Sequence, residues 1–190
     1  MIRPIQVFSE ILALLEYVAP LRPRRILEIG TASGGTLFLF CRIAAPDASV
    51  ISVDLPDGEL SYPPWKAELY HAFKLPGQSI HLLRADSHDV RTLSNVKGLL
   101  EDSKLDLLFI DGDHSYMGVK QDFEMYAPLA GERGIVALHD IVPIQPRQAW
   151  CEVDRFWIEL RDRYPYREFV EDWRQGWGGI GMLTRTAPAQ

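Results

Sequence analysis

The chain has 190 residues, 47% of them hydrophobic and 24% charged, with a formal net charge of −6. A chain of this size and composition can bury one continuous core without disulfide or metal staples, and the acidic balance argues against a nucleic-acid partner. Its two cysteines, Cys41 and Cys151, have no paired spacing, which excludes a disulfide framework and points to the reducing cytoplasm.

The opening stretch "MIRPIQVFSEILALLEYVAP" carries no cleavable signal pattern, and Ser9, Glu10 and Glu16 interrupt its apolar residues, so it does not read as a membrane span. Phe8, Ile11, Leu12, Leu15 and Val18 recur at helical intervals and predict a helix over 7–18 that packs on the rest of the fold, a lid or dimer contact being the alternative. The basic cluster "RPRR" reads as a solvated loop. Five apolar runs follow, "RILEIG" (25–30), "SVISVDL" (49–55), "IHLLRAD" (80–86), "LDLLFID" (105–111) and "GIVALHD" (134–140). Each is rich in Ile, Leu and Val with little alternation, as strands covered on both faces are. Between them, 35–43, 64–74 and 117–129 have helical spacing, with Pro64 suited to a helix start. The tail reads as a helix over 155–163 and then two strands, 166–172 and 178–185, joined by "WRQGW". Strand–helix alternation predicts an α/β, Rossmann-like, doubly wound parallel sheet with right-handed crossovers, and the tail adds an antiparallel hairpin at its edge. With no repeat, low-complexity tract or linker, 1–190 reads as one domain, residues 1–20 being its packed N-terminal helix.

Ligands of such sheets bind at the carboxyl ends of the strands, where the strand order reverses. The first strand runs into "LEIGTASGGT", whose glycines Gly30, Gly34 and Gly35 let the backbone turn sharply and approach a ligand. Glu28 stands where a dinucleotide fingerprint needs glycine, and a carboxylate there opposes a pyrophosphate. It suits instead a ligand with an ammonium group, and S-adenosylmethionine (SAM) carries both an ammonium and a sulfonium. Asp54 ends the second strand and can accept both ribose hydroxyls, while Asp86 and Ser87 end the third, where an adenine amino group can be read.

The fourth and fifth strands end in Asp111 and in His139–Asp140. Adjacent strands lie about 4.8 Å apart, and two carboxylates ~4 Å apart repel by ~4 kcal/mol at an effective dielectric near 20. Shared protonation, cationic side chains or a bound cation must offset that. With no Lys or Arg nearby in the sequence, a divalent metal held by Asp111 and Asp140 is the expectation. Mg²⁺ suits the oxygens, and His139 opens Mn²⁺ or Fe²⁺. His114, three residues after Asp111, is placed to take a proton from a substrate hydroxyl, a helix cap being its alternative role. Asp113 reads as a cap for the next helix, and Tyr116 and Asp122 as structural.

These motifs, "EIGTASGGT", "SVDLPDG", "RADSHD", "FIDGDHSYMGVKQDFEMYAPLAGERGIVALHDI" and "GGIGMLTR", resemble those of class I SAM-dependent methyltransferases, in particular small-molecule O-methyltransferases of the catechol and macrocin types, over about residues 20–185. The resemblance implies a seven-stranded sheet with a reversed last strand. It implies a methyl-donor site at Glu28, Gly30, Thr31, Ser33, Gly34, Thr36, Asp54, Asp86, Ser87 and Asp111, and a metal at Asp111, His139 and Asp140. His114 takes the position of the general base. His139 departs from the catechol type, which has an acid there. The expected reaction is metal-assisted methylation of a small-molecule hydroxyl, with residues 55–65 as a lid and Tyr62, Trp65, Trp173 and Trp177 as substrate walls. The rival readings are a metal-dependent hydrolase using the same Asp/His cluster and a non-catalytic nucleotide-binding domain; an NAD oxidoreductase fails on Glu28.

Overall fold

A computed structural model describes residues 2–57, 61–146, 148 and 150–184. Its centre is one seven-stranded sheet ordered β3-β2-β1-β4-β5-β7-β6. The strands are β1 (Arg25–Ile29), β2 (Ser49–Asp54), β3 (Ser79–Arg84), β4 (Leu105–Ile110), β5 (Ala130–His139), β6 (Tyr166–Phe169) and β7 (Ile180–Thr184). β1 to β5 run parallel to their partners, whereas β7 lies antiparallel between β5 and β6. The tail hairpin thus adds its two antiparallel strands at the sheet edge, as expected, with β7 paired to β5 and β6 outermost.

The helices are α1 (Phe8–Val18), α2 (Gly35–Ile43), α3 (Lys66–His71), α4 (Val90–Leu100), α5 (Tyr116–Tyr126) and α6 (Val153–Arg161). Successive strand residues feed opposite layers. Leu27, Ile29, Leu108 and Ile110 pack with Val96, Val119 and Trp157 on the α4–α5–α6 side. Ile26, Leu107 and Phe109 pack with Leu14, Phe40 and Tyr70 on the α1–α2–α3 side. Both faces are thus covered, which is why the strands lack alternation in sequence.

Helix α3 is shorter than the spacing suggested, since Pro63 and Pro64 form a turn before Lys66. Helix α5 tightens into a 3₁₀ turn at Ala127–Leu129. Helix α4 had no counterpart in the sequence reading. Its signal was Asp89, whose carboxylate accepts from Arg91 N–H at 2.8 Å, followed by buried Thr92, Val96 and Leu100 at helical spacing. Part of the expected lid, residues 58–60, and Arg185 of the last expected strand lie outside the described residues.

Strand order reverses between β1 and β4, and the register aligns their carboxyl ends: Ile29 pairs with Val53 on one side and Ile110 on the other. Gly30, Asp54, Asp111 and Asp140 thereby come to one rim.

Candidate active site

At the end of β1 the chain turns at Gly30, with φ +94°, and its N–H donates to the Val53 carbonyl at 2.8 Å. A Cβ there would lie 2.1 Å from the Asp111 carbonyl oxygen, so only glycine lets the ends of β1 and β4 meet this closely. Thr31 N–H donates to Asp54 Oδ1 at 3.1 Å, tying the ends of β1 and β2 together. Gly34, at φ +78°, precedes α2 with the Tyr70 ring against it.

Beside this loop opens a cavity of about 930 Å³, a size suited to a cofactor-sized molecule. Gly30, Asp54, Asp86, Ser87, Asp111 and His114 line it, so six of the residues singled out in the sequence share one space. Asp54 Oδ2 is buried there without a hydrogen-bond partner. Burial raises the Asp54 pKa against the backbone N–H bonds that lower it. An orphaned carboxylate oxygen on a residue of the cavity wall fits a ligand hydroxyl as donor.

The remaining loop residues are turned away from the cavity lining. Glu28 is fully buried and accepts from the Thr36 hydroxyl and, at 2.7 Å, from the Ser52 hydroxyl. Burial pushes its pKa up to about 7, and those two hydrogen bonds pull it down. Thr31 Oγ1 lies 2.5 Å from Ser52 Oγ, and Ser33 Oγ donates to the Arg3 carbonyl at 2.6 Å. Glu28, Thr31, Ser33 and Thr36 thus build the loop from behind, and the ammonium contact expected of Glu28 is not available to a carboxylate so enclosed. Tyr62 is also buried, its ring tilted against Tyr70 at 4.7 Å between centroids, while Trp65, Trp173 and Trp177 are exposed and outside the lining.

At the β4 and β5 ends, Asp111, His114, His139 and Asp140 bring one ligand atom each to within 4.8 Å of one another. His114 Nε2 lies 3.0 Å from Asp140 Oδ2 and 3.4 Å from Asp111 Oδ1. His139 Nδ1 lies 3.1 Å from Asp111 Oδ1 and 3.4 Å from Asp140 Oδ2. Asp140 holds φ +63°, sparsely populated by non-glycine residues, and its Oδ1 accepts from Gly178 N–H at 3.0 Å. Burial opposes the charge on every member. The mutual ion pairs outweigh it, raising His114 to about 10 and His139 well above the imidazole range, and holding Asp111 and Asp140 below the carboxylate range. Two imidazolium groups thus offset the carboxylate repulsion anticipated from the sequence. Asp111, His139 and Asp140, with one imidazole nitrogen and two carboxylates, fit a divalent cation that replaces the shared protons, with His114 beside it.

Three polar or aromatic side chains at the site, Trp150, His88 and Gln6, were not singled out in the sequence. Trp150 lines the cavity and meets the His114 ring edge-on at 6.0 Å, and His88 lines the opposite part. Gln6 donates from Nε2 to Asp111 Oδ2 at 2.6 Å, from 105 positions away. No local pattern marks Gln6 or Trp150. For His88 the signal was its place immediately after Asp86 and Ser87. Asp113 was expected to cap the next helix, but the cap of α5 is Ser115, whose Oγ accepts from Gly118 N–H at 3.0 Å, and the Asp113 carboxylate instead braces that cap by accepting from Ser115 N–H at 2.8 Å.

A family model described as "Methyltransferase domain" matches residues 27–141, more than half of the chain. The chain is 34% identical over 173 residues to the uncharacterized protein y4gI of Sinorhizobium fredii (strain NBRC 101917 / NGR234). That alignment takes in 87% of the chain but spans only 18% of the relative. Among solved structures, the O-methyltransferase from Bacillus cereus in complex with SAH superposes with a TM-score of 0.68 at 17% identity, over 95% of this chain and 84% of that one. The O-methyltransferase TomG from Streptomyces achromogenes, involved in tomaymycin synthesis and solved with SAM, gives a TM-score of 0.65 at 20% identity, over 93% and 79%. At these identities the likeness is one of fold.

Proposed function

This chain belongs to the methyltransferase-domain family, and we propose that it transfers the methyl group of SAM to the hydroxyl of a small molecule with help from a divalent metal. The observation that carries the reading is that Asp111 and His114 belong at once to the cavity wall and to the four-donor cluster. Donor and acceptor sites therefore share a boundary. Asp54 would hold the ribose, Asp86 and Ser87 the adenine, and Gly30 and Asp111 the methionine end. Asp111, His139 and Asp140 would hold the metal, Mg²⁺ or, with His139 among the ligands, Mn²⁺ or Fe²⁺.

When bound, such an ion lowers the pKa of an acceptor hydroxyl and orients it. His114 supplies the proton acceptor. Pinned between two carboxylates it is an imidazolium, the wrong form for a base. With those carboxylates engaged in holding a cation, the His114 pKa would return toward the ordinary imidazole range, the form that accepts the hydroxyl proton. SAM would supply the activated methyl: its S–CH3 bond would break as the O–CH3 bond forms, the electron pair returning to sulfur so that a neutral thioether leaves and His114 keeps the hydroxyl proton. Because the donor is already activated, the rate comes mostly from positioning two reactants on this rim.

Calorimetry with S-adenosylhomocysteine (SAH) in the presence of Mg²⁺ or Mn²⁺ is the direct test. Saturable binding is expected, weakened in Asp54→Asn, and His114→Ala is expected to slow methylation of a hydroxyl acceptor ~10²–10⁴-fold while leaving SAH binding in place. A wild-type protein that binds no SAH with either ion present sinks the reading.

A further inference from the structure

The segment before α1 is seated on the active site. Residues 3–6 cross the start of α2, where a Cβ on Gly35 would lie 2.0 Å from Pro4 N and 2.1 Å from the Arg3 carbonyl carbon. The Ser33 hydroxyl holds the Arg3 carbonyl at 2.6 Å. The next contact is Gln6 Nε2 on Asp111 Oδ2 at 2.6 Å. Asp111 is thereby divided: Oδ2 goes to the strap, and Oδ1 faces the His139 and His114 nitrogens. Gln6 is only 8% exposed, and its own Oε1 is buried without a partner. A buried, unpaired amide oxygen forfeits its hydration without a protein partner in return, so packing alone does not favour glutamine here over an apolar side chain of the same length.

The other end of the strap reaches the second carboxylate. Glu10, in the first turn of α1, accepts from Gly179 N–H at 2.7 Å, and the neighbouring Gly178 N–H donates to Asp140 Oδ1 at 3.0 Å. Here too one oxygen is tied back, leaving Asp140 Oδ2 facing His114 and His139.

We propose that Gln6 is a positioning residue of the metal centre: by binding Asp111 Oδ2 it fixes the carboxylate so that Oδ1 is presented to the cation, while Glu10 does the same for Asp140 through the Gly178–Gly179 backbone. This rests on the metal reading above. Groups that orient a ligand are worth ~10–100-fold in metal affinity when removed, and a carboxylate freed from the strap can swing Oδ1 out of line.

The test is Mn²⁺ titration, by calorimetry and by the electron paramagnetic resonance of free Mn²⁺, on wild-type protein, Gln6→Met and Asp111→Asn, each with a thermal unfolding curve. Gln6→Met keeps length and volume and removes both the donor and the orphaned acceptor. It is expected to bind Mn²⁺ ~10-fold more weakly with a Tm at or above wild type, a combination that a purely space-filling glutamine does not produce. Mn²⁺ binding lost in Asp111→Asn but kept within twofold in Gln6→Met overturns this inference alone. A wild-type protein that binds no Mn²⁺ overturns the metal reading and this inference with it. Should Gln6→Met lose its cooperative unfolding transition, Gln6→Asn, which keeps the amide but cannot reach Asp111, takes its place with the same expected and overturning outcomes.

Discussion

His88 lines the cavity with its Nε2 3.4 Å from Asp122 Oδ1, and the Asp122 side chain has no exposure to solvent. Its Nδ1 lies 3.9 Å from Asp86 Oδ1. The Asp122 carboxylate, opposed by burial and aided by Asp86, raises the His88 pKa from 6.5 to about 9. The folded chain then holds a proton that the unfolded chain gives up earlier. The stability gained from the pair is complete below pH 6.5 and fades as pH rises through about 9. Removing the carboxylate with Asp122→Asn is expected to bring the His88 pKa, followed by NMR, back to its ordinary value or below, and to flatten the pH dependence of Tm between those limits. A His88 titration unchanged in Asp122→Asn refutes the pairing.

Residues of this kind mark where the sequence stops being informative. Asp54, Asp111 and Asp140 could be read directly, because each ends an apolar run and strand ends share a rim. Glu28 could be located but not oriented. Its place on β1 was evident, whereas its enclosure depends on Thr36 and on Ser52 of β2. Gln6 and the Asp122 partner of His88 were illegible, since their significance lies in contacts across 105 positions in one case and between separate elements in the other.

At the level of elements, the seam between α6 and β7 is the most exacting. A Cβ on Gly181 would come within 2.6 Å of the Trp157 ring, and Trp157 cannot retreat, being buried and donating from Nε1 to Glu168 Oε1 at 2.7 Å. Gly181→Ala is therefore expected to destabilise the fold by about 1–3 kcal/mol, the usual cost of overpacking, read as a lower urea midpoint with an unchanged slope. A midpoint equal to wild type shows that α6 can shift aside. Apolar runs with clear punctuation, β1, β2 and β4, were legible to within a residue or two. Helix α4 was missed because only three of its residues are buried and its outer face is polar, so the apolar stripe is thin. The early start of β5 at Ala130 was hidden by Gly131, Glu132, Arg133 and Gly134, whose place in the strand comes from the chain beside them, not from their own preference.

Across the whole molecule, Glu10 links the first helix to the last loop. It is 1% exposed and accepts from Glu171 N–H at 3.1 Å, Gln175 Nε2 at 2.7 Å and Gly179 N–H at 2.7 Å. Glu10→Ala leaves three donors without that acceptor, and a loss of about 3 kcal/mol is expected, a large part of the 5–15 kcal/mol typical of a domain. Glu10→Gln, which retains one oxygen, is expected to lose less; equal midpoints for the two variants contradict the assignment. The sheet topology was foreseeable from strand–helix alternation, but the insertion of β7 was not, because two strands at the end of a sequence do not reveal which is inner.

That insertion governs the order in which the sheet can be made. β6 touches the sheet only through β7, and the outer edge of β5 stays bare until Ile180–Thr184 are in place. A nascent chain leaving the ribosome must therefore wait for Ile180–Thr184 before the strand holding His139 gains its second neighbour, so a chain cut short before Ile180 has an open edge beside His139 and Asp140.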